Sequence, residues 1–221
     1  MSRLKLFLAA LALWMAAAGA AAQSAIPQVA TRAQALAFLE HAEAGHRASA
    51  VHWLGRFGLP ADDALLHRHL TGDAHPSVRV LAERALWLLW SRSGDAEVDR
   101  LLARGVEDME ARRLEQAIEA FSQVVRRKPG FAEGWNKRAT AYYLAGDFAR
   151  SLADCDEVMK RNPRHFGALA GYGQIYVQLE QLDKALEYFR RALRVNPNMT
   201  GVEINIRELE ELLKARKGTQ T

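Results

Sequence analysis

The sequence has little cysteine, proline and glycine, and each shortage excludes a class of protein. One cysteine among 221 residues excludes an internal disulfide and a thiolate metal cluster. Only 6 prolines and 15 glycines, in a chain rich in Ala, Leu, Arg and Glu, predict a structure that is mostly helical. The 49% hydrophobic and 25% charged content is typical of a globular protein and excludes a disordered chain.

An excess of charge of one sign is also lacking. Two of the four net positive charges belong to Arg3 and Lys5, while residues 23–97 hold 7 basic and 8 acidic groups and residues 98–221 hold 21 and 18. We therefore predict no nucleic-acid partner. The chain also lacks a glycine-rich phosphate loop, a nucleophile elbow and a His-Glu-x-x-His motif, so we predict that it is not an enzyme and uses no cofactor.

The one long hydrophobic run lies at the N-terminus. Arg3 and Lys5 precede an uncharged apolar stretch from Leu6 to Ala18, and small residues follow up to Ala22. This arrangement predicts a signal peptide over residues 1–22, cleaved after Ala22, and a periplasmic protein. The alternative is an uncleaved signal segment, which would be the chain's only attachment to a membrane.

The C-terminal half contains a repeat of 34 residues, marked by Pro129, Pro163 and Pro197. Small residues and large apolar residues recur with the same period, as expected where two helices approach closely and where the space between helices is filled. The recurring positions are Gly105, Ala139 and Gly173; Ala117, Ser151 and Ala185; Phe121, Cys155 and Phe189; and Leu101, Trp135 and Leu169.

These positions resemble the tetratricopeptide (TPR) repeat over residues 98–197, without insertion or deletion. The resemblance implies three helical hairpins stacked into an α-solenoid. Within a repeat, Gly146-Asp147 would separate two helices, predicted over Trp135–Ala145 and Phe148–Lys160. The first and third repeats depart from this pattern, because Arg112-Arg113 and Glu180-Gln181 occupy the turn.

Residues 198–221 are predicted to form a capping helix and a short tail. Thr200 and Glu203 have the spacing of a capping box. An apolar stripe follows, formed by Val202, Ile206, Leu209 and Leu213. One apolar face and one charged face are typical of a helix that covers the end of a repeat array.

Residues 23–97 are predicted to form a second helical array of four helices. The helices are expected from Thr31 to near Gly45 and over Arg47–Phe57, Asp62–Leu70 and Pro76–Ser91. Two similar blocks begin at Arg47 and Arg79, and the turn from Asp73 to Arg79 resembles a HEAT repeat, which implies about two HEAT-like repeats. The short Ser93-Gly94 connection predicts that both arrays share a core.

The whole chain resembles short exported TPR proteins of proteobacteria, through Trp90–Gly94 and Pro129–Tyr143. That resemblance implies a binding module whose concave groove is lined by the first helix of each repeat. The implied groove residues are Leu102, Val106, Met109, Asn136, Lys137, Thr140, Tyr143, Gln174, Val177 and Gln178. The basic residues with which some TPR proteins clamp a C-terminal carboxylate are replaced by Leu102, Val106, Gly167 and Gly171.

Histidines are the strongest candidates for a metal site, but we predict no metal ligands among them. His67 and His69 are two residues apart and would point to different sides of a helix, whereas His41 and His46 lie on either side of an expected helix end. Polar helix surface is the simpler interpretation. The basic clusters at Arg126–Lys128, Lys160–Arg164 and Arg190–Arg194 are interpreted as C-terminal helix charges.

The sequence thus predicts an all-α exported scaffold or adaptor of the bacterial envelope. It would bind a protein or peptide segment in the TPR groove. The main alternative is a periplasmic carrier of a metal or small ligand that uses the His-rich N-terminal segment. A weaker alternative is an assembly factor for envelope enzymes. The partner, the pathway and the oligomeric state stay open.

Overall fold

The computed structural model describes residues 27–218, so the predicted signal peptide lies outside the described residues. Within this range the chain forms eleven α-helices and one 3-10 turn, and no strand. The prediction of an all-α fold is confirmed. Among these helices, none is both long enough and apolar enough to cross a membrane.

Four helices form the N-terminal bundle. They are α1 (Arg32–Leu39), α2 (Ala44–Phe57), α3 (Asp63–Gly72) and α4 (Pro76–Trp90), with the 3-10 turn Pro60–Asp62 between α2 and α3. Helix α4 packs on α2 and α3, and α1 packs on α2. Pro76 occupies the first turn of α4, where its missing N–H leaves no hydrogen bond unmade.

The first helix ends earlier than the sequence predicts, at Leu39 rather than near Gly45. The reason is Arg47, whose Nη1 donates to the backbone oxygens of His41 at 2.9 Å and Ala42 at 2.7 Å. These bonds satisfy carbonyls that a longer helix would have used, so residues 40–43 form a turn.

Six helices form the three repeats and a seventh covers their end. The hairpins are α5 (Ala96–Glu110) with α6 (Leu114–Arg127), α7 (Ala132–Leu144) with α8 (Phe148–Arg161), and α9 (Phe166–Gln178) with α10 (Leu182–Val195); the last helix is α11 (Thr200–Gly218). Helices within a hairpin pack together, and each hairpin packs on the next. Val202, Ile206 and Leu209 of α11 are buried against the third repeat, as predicted for a capping helix.

Close contacts inside the repeats explain the recurring small residues. A Cβ atom on Gly173 would lie 2.4 Å from the ring of Phe189, and one on Gly105 would lie 2.5 Å from the ring of Phe121. Glycine at these two positions lets the paired helices approach closely enough for each phenylalanine to be fully buried.

The two arrays share a core, as the short connection predicts, but the contact lies far from the connection in sequence. Phe166, at the start of α9, is fully buried in the core of the N-terminal bundle. Its ring centroid lies 5.1 Å from that of Trp87 and 4.9 Å from that of Trp90, both on α4. The bundle therefore packs against the side of the repeat array on which the connections between repeats lie.

Candidate functional site

The first helices of the three repeats lie side by side, since α5 contacts α7 and α7 contacts α9. Together they form the inner wall on which the sequence analysis placed ten groove residues. The structure divides these ten residues into a group that lines an open cleft and a group that is engaged inside the protein.

Four of the ten residues line one cleft of about 410 Å³ at the C-terminal ends of α7 and α9. They are Tyr143, Gln174, Val177 and Gln178. Helices α10 and α11 complete the cleft with Phe189, Asn205, Glu208, Leu209 and Leu212. Gln174 and Gln178 are exposed and one helical turn apart, so both amides face the same side of α9.

The other predicted groove residues are held by internal contacts. Leu102 is buried in the core of the first repeat, and Val106 and Met109 pack against that core. The Oγ1 of Thr140 donates to the backbone oxygen of Asn136 at 3.0 Å. Leu102 and Asn136 are each less than a tenth exposed, so little of either side chain is accessible on the inner wall.

Asn136 and Lys137 instead belong to a buried polar cluster around Glu133. Asn136 Nδ2 donates to Glu133 Oε2 at 3.0 Å, and His165 Nε2 lies 3.0 Å from the same oxygen. Lys137 Nζ lies 3.2 Å from Glu133 Oε1. Because His165 Nδ1 accepts from the backbone N–H of Ala168, its Nε2 carries the proton and donates to Glu133.

The charge on Glu133 is held by this cluster although the side chain is fully buried. Burial by itself raises the pKa of Glu133, but the hydrogen bond from His165, with the charge and hydrogen bond of Lys137, outweighs burial and lowers the pKa. This cluster was not predicted from the sequence. Glu133 resembles an ordinary acidic residue in a first helical turn, and His165 an ordinary N-cap, so no local signal marked them.

A second cavity, of about 720 Å³, lies where the N-terminal bundle meets the repeat connections. Its lining includes the basic side chains Arg92, Lys128, Arg161 and Arg164. Arg164 pairs with Asp63 at 2.6 Å, Arg161 pairs with Glu157 at 2.6 Å, and Lys128 donates to the backbone oxygen of Ser93. Carboxylates thus neutralise Arg164 and Arg161, whereas Lys128 and Arg92 bond to backbone oxygens, and the cavity lies at the junction between the two arrays.

His67, His69 and His75 do not converge as a ligand set. His67 lies against Trp90 and Phe166, whereas His69 Nδ1 is 3.0 Å from Asp73 and His75 Nδ1 is 2.8 Å from Ser77. His67 and His69 are buried, which corrects their interpretation as helix surface. Burial lowers the pKa of His67 to about 4. The neighbouring Arg164 and His165 lower this pKa further, whereas the charge of Asp63 raises it.

Cys155 is an interior residue, as its place in the repeat predicts. Burial raises the pKa of the thiol to about 12, and the charges of Asp154 and Asp156 add to the effect. The thiolate is therefore disfavoured, and the side chain fills space in the core.

Comparisons with known proteins agree with this architecture. The Tetratricopeptide repeat family matches residues 102–158 and 170–199. A TPR repeat-containing protein of Rhizobium etli is 29% identical over 130 residues, which cover 59% of this chain and 64% of the relative. Hsp70-Hsp90 organizing protein 1 of Glycine max is 25% identical over 124 residues, or 56% of this chain and 22% of the relative. The chain thus spans less than two thirds of these relatives.

Two solved structures show the same fold in the repeat region. The first TPR of Spaghetti (RPAP3), bound to the HSP90 peptide SRMEEVD, has a TM-score of 0.52 at 21% identity and covers 54% of this chain and 96% of that one. The Sgt2 TPR domain from Aspergillus fumigatus has a TM-score of 0.53 at 17% identity, with 56% and 83% coverage. The family matches, the Rhizobium relative and the stacked hairpins agree that the C-terminal half of this chain is built of tetratricopeptide repeats.

Proposed function

We propose that the chain is a non-catalytic protein-interaction module that binds a segment of another protein in the cleft between α7, α9 and α11. The observation that carries the proposal is the cleft itself, in which Tyr143, Gln174 and Gln178 face the capping helix across an open space. Relatives that contain TPR domains, one of them solved with a bound HSP90 peptide, support this class of function.

The lining of the cleft favours a particular kind of segment. Val177, Leu209 and Leu212 offer an apolar surface, and Leu212 is 44% exposed. Gln174, Gln178 and Asn205 offer amides that can both donate and accept hydrogen bonds to a peptide backbone. Glu208 adds a negative charge. An amphipathic segment with an apolar anchor and a basic residue fits this chemistry.

An acidic chaperone tail does not fit this chemistry. Leu102, Val106, Gly167 and Gly171 stand where a carboxylate clamp would need basic side chains. At Gly167 there is no room for a larger residue either, because an added Cβ would lie 2.5 Å from Trp87 of the N-terminal bundle. The bundle thus covers the N-terminal end of α9 and leaves the opposite end of the groove open.

Site-specific crosslinking tests the proposed cleft. A photoreactive residue at Gln178, which is exposed in the cleft, should crosslink a specific partner in the native host. The same residue at Ala153, which is exposed on α8, serves as the matched control. A peptide from the crosslinked partner should then bind the purified chain, and Val177→Lys should weaken that binding at least tenfold. Equal crosslinking from both positions, or binding unaffected by Val177→Lys, would contradict the proposal.

We also propose that residues 1–22 direct export and that the protein acts in the envelope. The charged start and uncharged apolar run support this location. N-terminal sequencing of the protein from fractionated cells is the test. A periplasmic chain that begins at Gln23 agrees with the proposal, whereas a cytoplasmic chain that keeps residues 1–22 contradicts it.

A further inference from the structure

The turn between α1 and α2 brings together three side chains of the kinds that bind metals. His41, Glu43 and His46 each place one potential ligand atom within 4.8 Å of the other two. The two imidazole rings are stacked, with centroids 3.7 Å apart and planes inclined by 20°. His46 Nδ1 lies 3.2 Å from Glu43 Oε2. The early end of α1 creates this arrangement, because a helix continuing to Gly45 would separate the two histidines.

The surroundings of the two Nδ1 atoms suit a ligand role. His41 Nδ1 accepts a hydrogen bond from the backbone N–H of Glu43 at 3.1 Å, so this nitrogen carries a lone pair rather than a proton. His46 Nδ1 is buried, and its 3.2 Å approach to Glu43 Oε2 does not have the geometry of a hydrogen bond. A buried polar atom without a partner is costly, and a bound ion would satisfy it. Coordination would replace the His41–Glu43 hydrogen bond.

Neighbouring contacts hold the turn in place. The guanidinium of Arg47, whose Nη1 holds the backbone of the turn, is fixed by Asp73 through Nε–Oδ2 and Nη2–Oδ1 contacts of 2.8 Å. The ring of Phe38 meets that of His46 edge-on at a centroid distance of 4.8 Å. Supporting contacts of this kind orient ligands before a metal arrives.

We propose that His41, Glu43 and His46 form a binding site for a divalent transition-metal ion. Two imidazole nitrogens and one carboxylate oxygen are a donor set that Zn²⁺, Ni²⁺ and Cu²⁺ prefer, whereas Mg²⁺ and Ca²⁺ require mainly oxygen. Tetrahedral Zn²⁺ places its ligands about 3.3 Å apart, as follows from bond lengths of about 2.0–2.1 Å. Coordination requires the two stacked rings to turn until their nitrogens converge, together with rotation of the exposed Glu43 side chain, and water completes the coordination.

Metal titration of the full chain, prepared without a histidine tag, tests the site. One Zn²⁺ per chain should bind with a dissociation constant of about 1–10 µM by calorimetry, in the range expected for a partly exposed three-ligand site. Co²⁺ should give the visible absorption of a four-coordinate ion. His46→Ala and Glu43→Gln should each weaken Zn²⁺ binding at least tenfold, and Zn²⁺ should raise the thermal midpoint of the wild type but not of His46→Ala.

The matched control is His52→Ala, which removes an exposed histidine from the same helix and should leave Zn²⁺ binding unchanged. Glu43 is exposed, so Glu43→Gln keeps the test valid if His46→Ala fails to fold. Absence of binding at 100 µM Zn²⁺, on the order of ten times the weakest expected constant, would overturn the proposal. So would equal binding by the wild type and Glu43→Gln, or loss of binding in His52→Ala.

Discussion

At the scale of single residues, the turn inside each hairpin forces one residue into the left-handed conformation. The φ angle is 60° at Arg112, 77° at Gly146 and 56° at Glu180. In all three hairpins, the residue after the left-handed one donates its backbone N–H to the carbonyl five residues earlier. In the third hairpin, Gln181 donates to Tyr176 at 2.9 Å. The geometry of the turn is therefore the same in all three hairpins. Only the second repeat has a glycine, Gly146, which adopts the left-handed conformation without strain.

Glu180→Gly should stabilise the protein by about 1 kcal/mol, because glycine removes the Cβ strain of the left-handed conformation. The measurement is the urea concentration at half unfolding. Glu180→Ala keeps the Cβ atom and is the matched control. If the alanine variant gained as much stability as the glycine variant, relief of backbone strain would not be the cause.

At the scale of helices, the second repeat solves the packing problem of the hairpin differently from its neighbours. The first and third repeats pair a glycine with a phenylalanine, at Gly105–Phe121 and Gly173–Phe189. The second repeat has Ala139 and Cys155 in the same apolar cluster. A larger residue on one helix is thus matched by a smaller residue on the other, which keeps the interior filled.

Cys155→Phe should destabilise the protein by about 1–3 kcal/mol, because the ring overfills the space beside Ala139. Adding Ala139→Gly should recover part of this loss, although Ala139→Gly alone costs about 1 kcal/mol of helix propensity. A double-mutant cycle from urea unfolding measures the coupling, which we expect to be at least about 0.5 kcal/mol. Simple additivity of the two changes would show that these positions do not share space.

Much of the element scale was predictable from sequence, for local reasons. Pro76 predicted the start of α4, and the exact spacing of Pro129, Pro163 and Pro197 predicted the three hairpins. Projecting repeat positions onto a shared geometry placed Tyr143 and Gln178 on the inner wall, and both line the cleft; their contact with a partner stays a prediction. The clustering of His41 with His46 was missed because it depends on Arg47, whose hold on the turn is tertiary.

At the scale of the whole molecule, the N-terminal bundle contacts the connections after the second and third repeats, and the segment that follows the bundle contacts the connection after the first. Lys128 bonds to the backbone oxygen of Ser93, Arg164 pairs with Asp63, and Met199 packs against the core of the bundle. These contacts were not predictable, since Phe166 resembles any apolar residue at a helix start. Only the folded chain brings it to Trp87.

The contact between α4 and α9 predicts opposite effects for two glycines one turn apart. Gly167→Ala should destabilise the protein by about 1–3 kcal/mol, because the new Cβ would lie 2.5 Å from Trp87. Gly171→Ala is the matched control: its Cβ would have ordinary contact with Cys155 at 3.8 Å and should stabilise the helix by up to about 1 kcal/mol. Thermal unfolding measures both. Equal effects at the two positions would contradict the close approach of α4.

The same junction predicts loss of stability in acid. Because burial lowers the pKa of His67 to about 4 from 6.5, the unfolded chain binds a proton between these pH values and the folded chain does not. Stability should therefore fall from pH 6.5 to 4, and Glu133, whose pKa is also lowered, should add a loss below about pH 4.5. Urea midpoints across this range measure the effect.

His67→Leu should flatten the decline between pH 6.5 and pH 4.5 while leaving the loss at lower pH, because the leucine cannot take up a proton. His75→Ala, which changes an exposed histidine, is the comparison. A decline that persists unchanged in His67→Leu would assign the acid sensitivity to another group.

The position of the bundle along the repeat connections has a mechanical consequence. An array whose repeats contact only their neighbours is flexible along its length, and its repeats can unfold one at a time from the ends. Here the bundle adds contacts at the connections after the second and third repeats, so extension or fraying of the C-terminal units would also break their contacts with the bundle. The array should therefore unfold as a single cooperative body, and it should present its open cleft with a nearly fixed curvature.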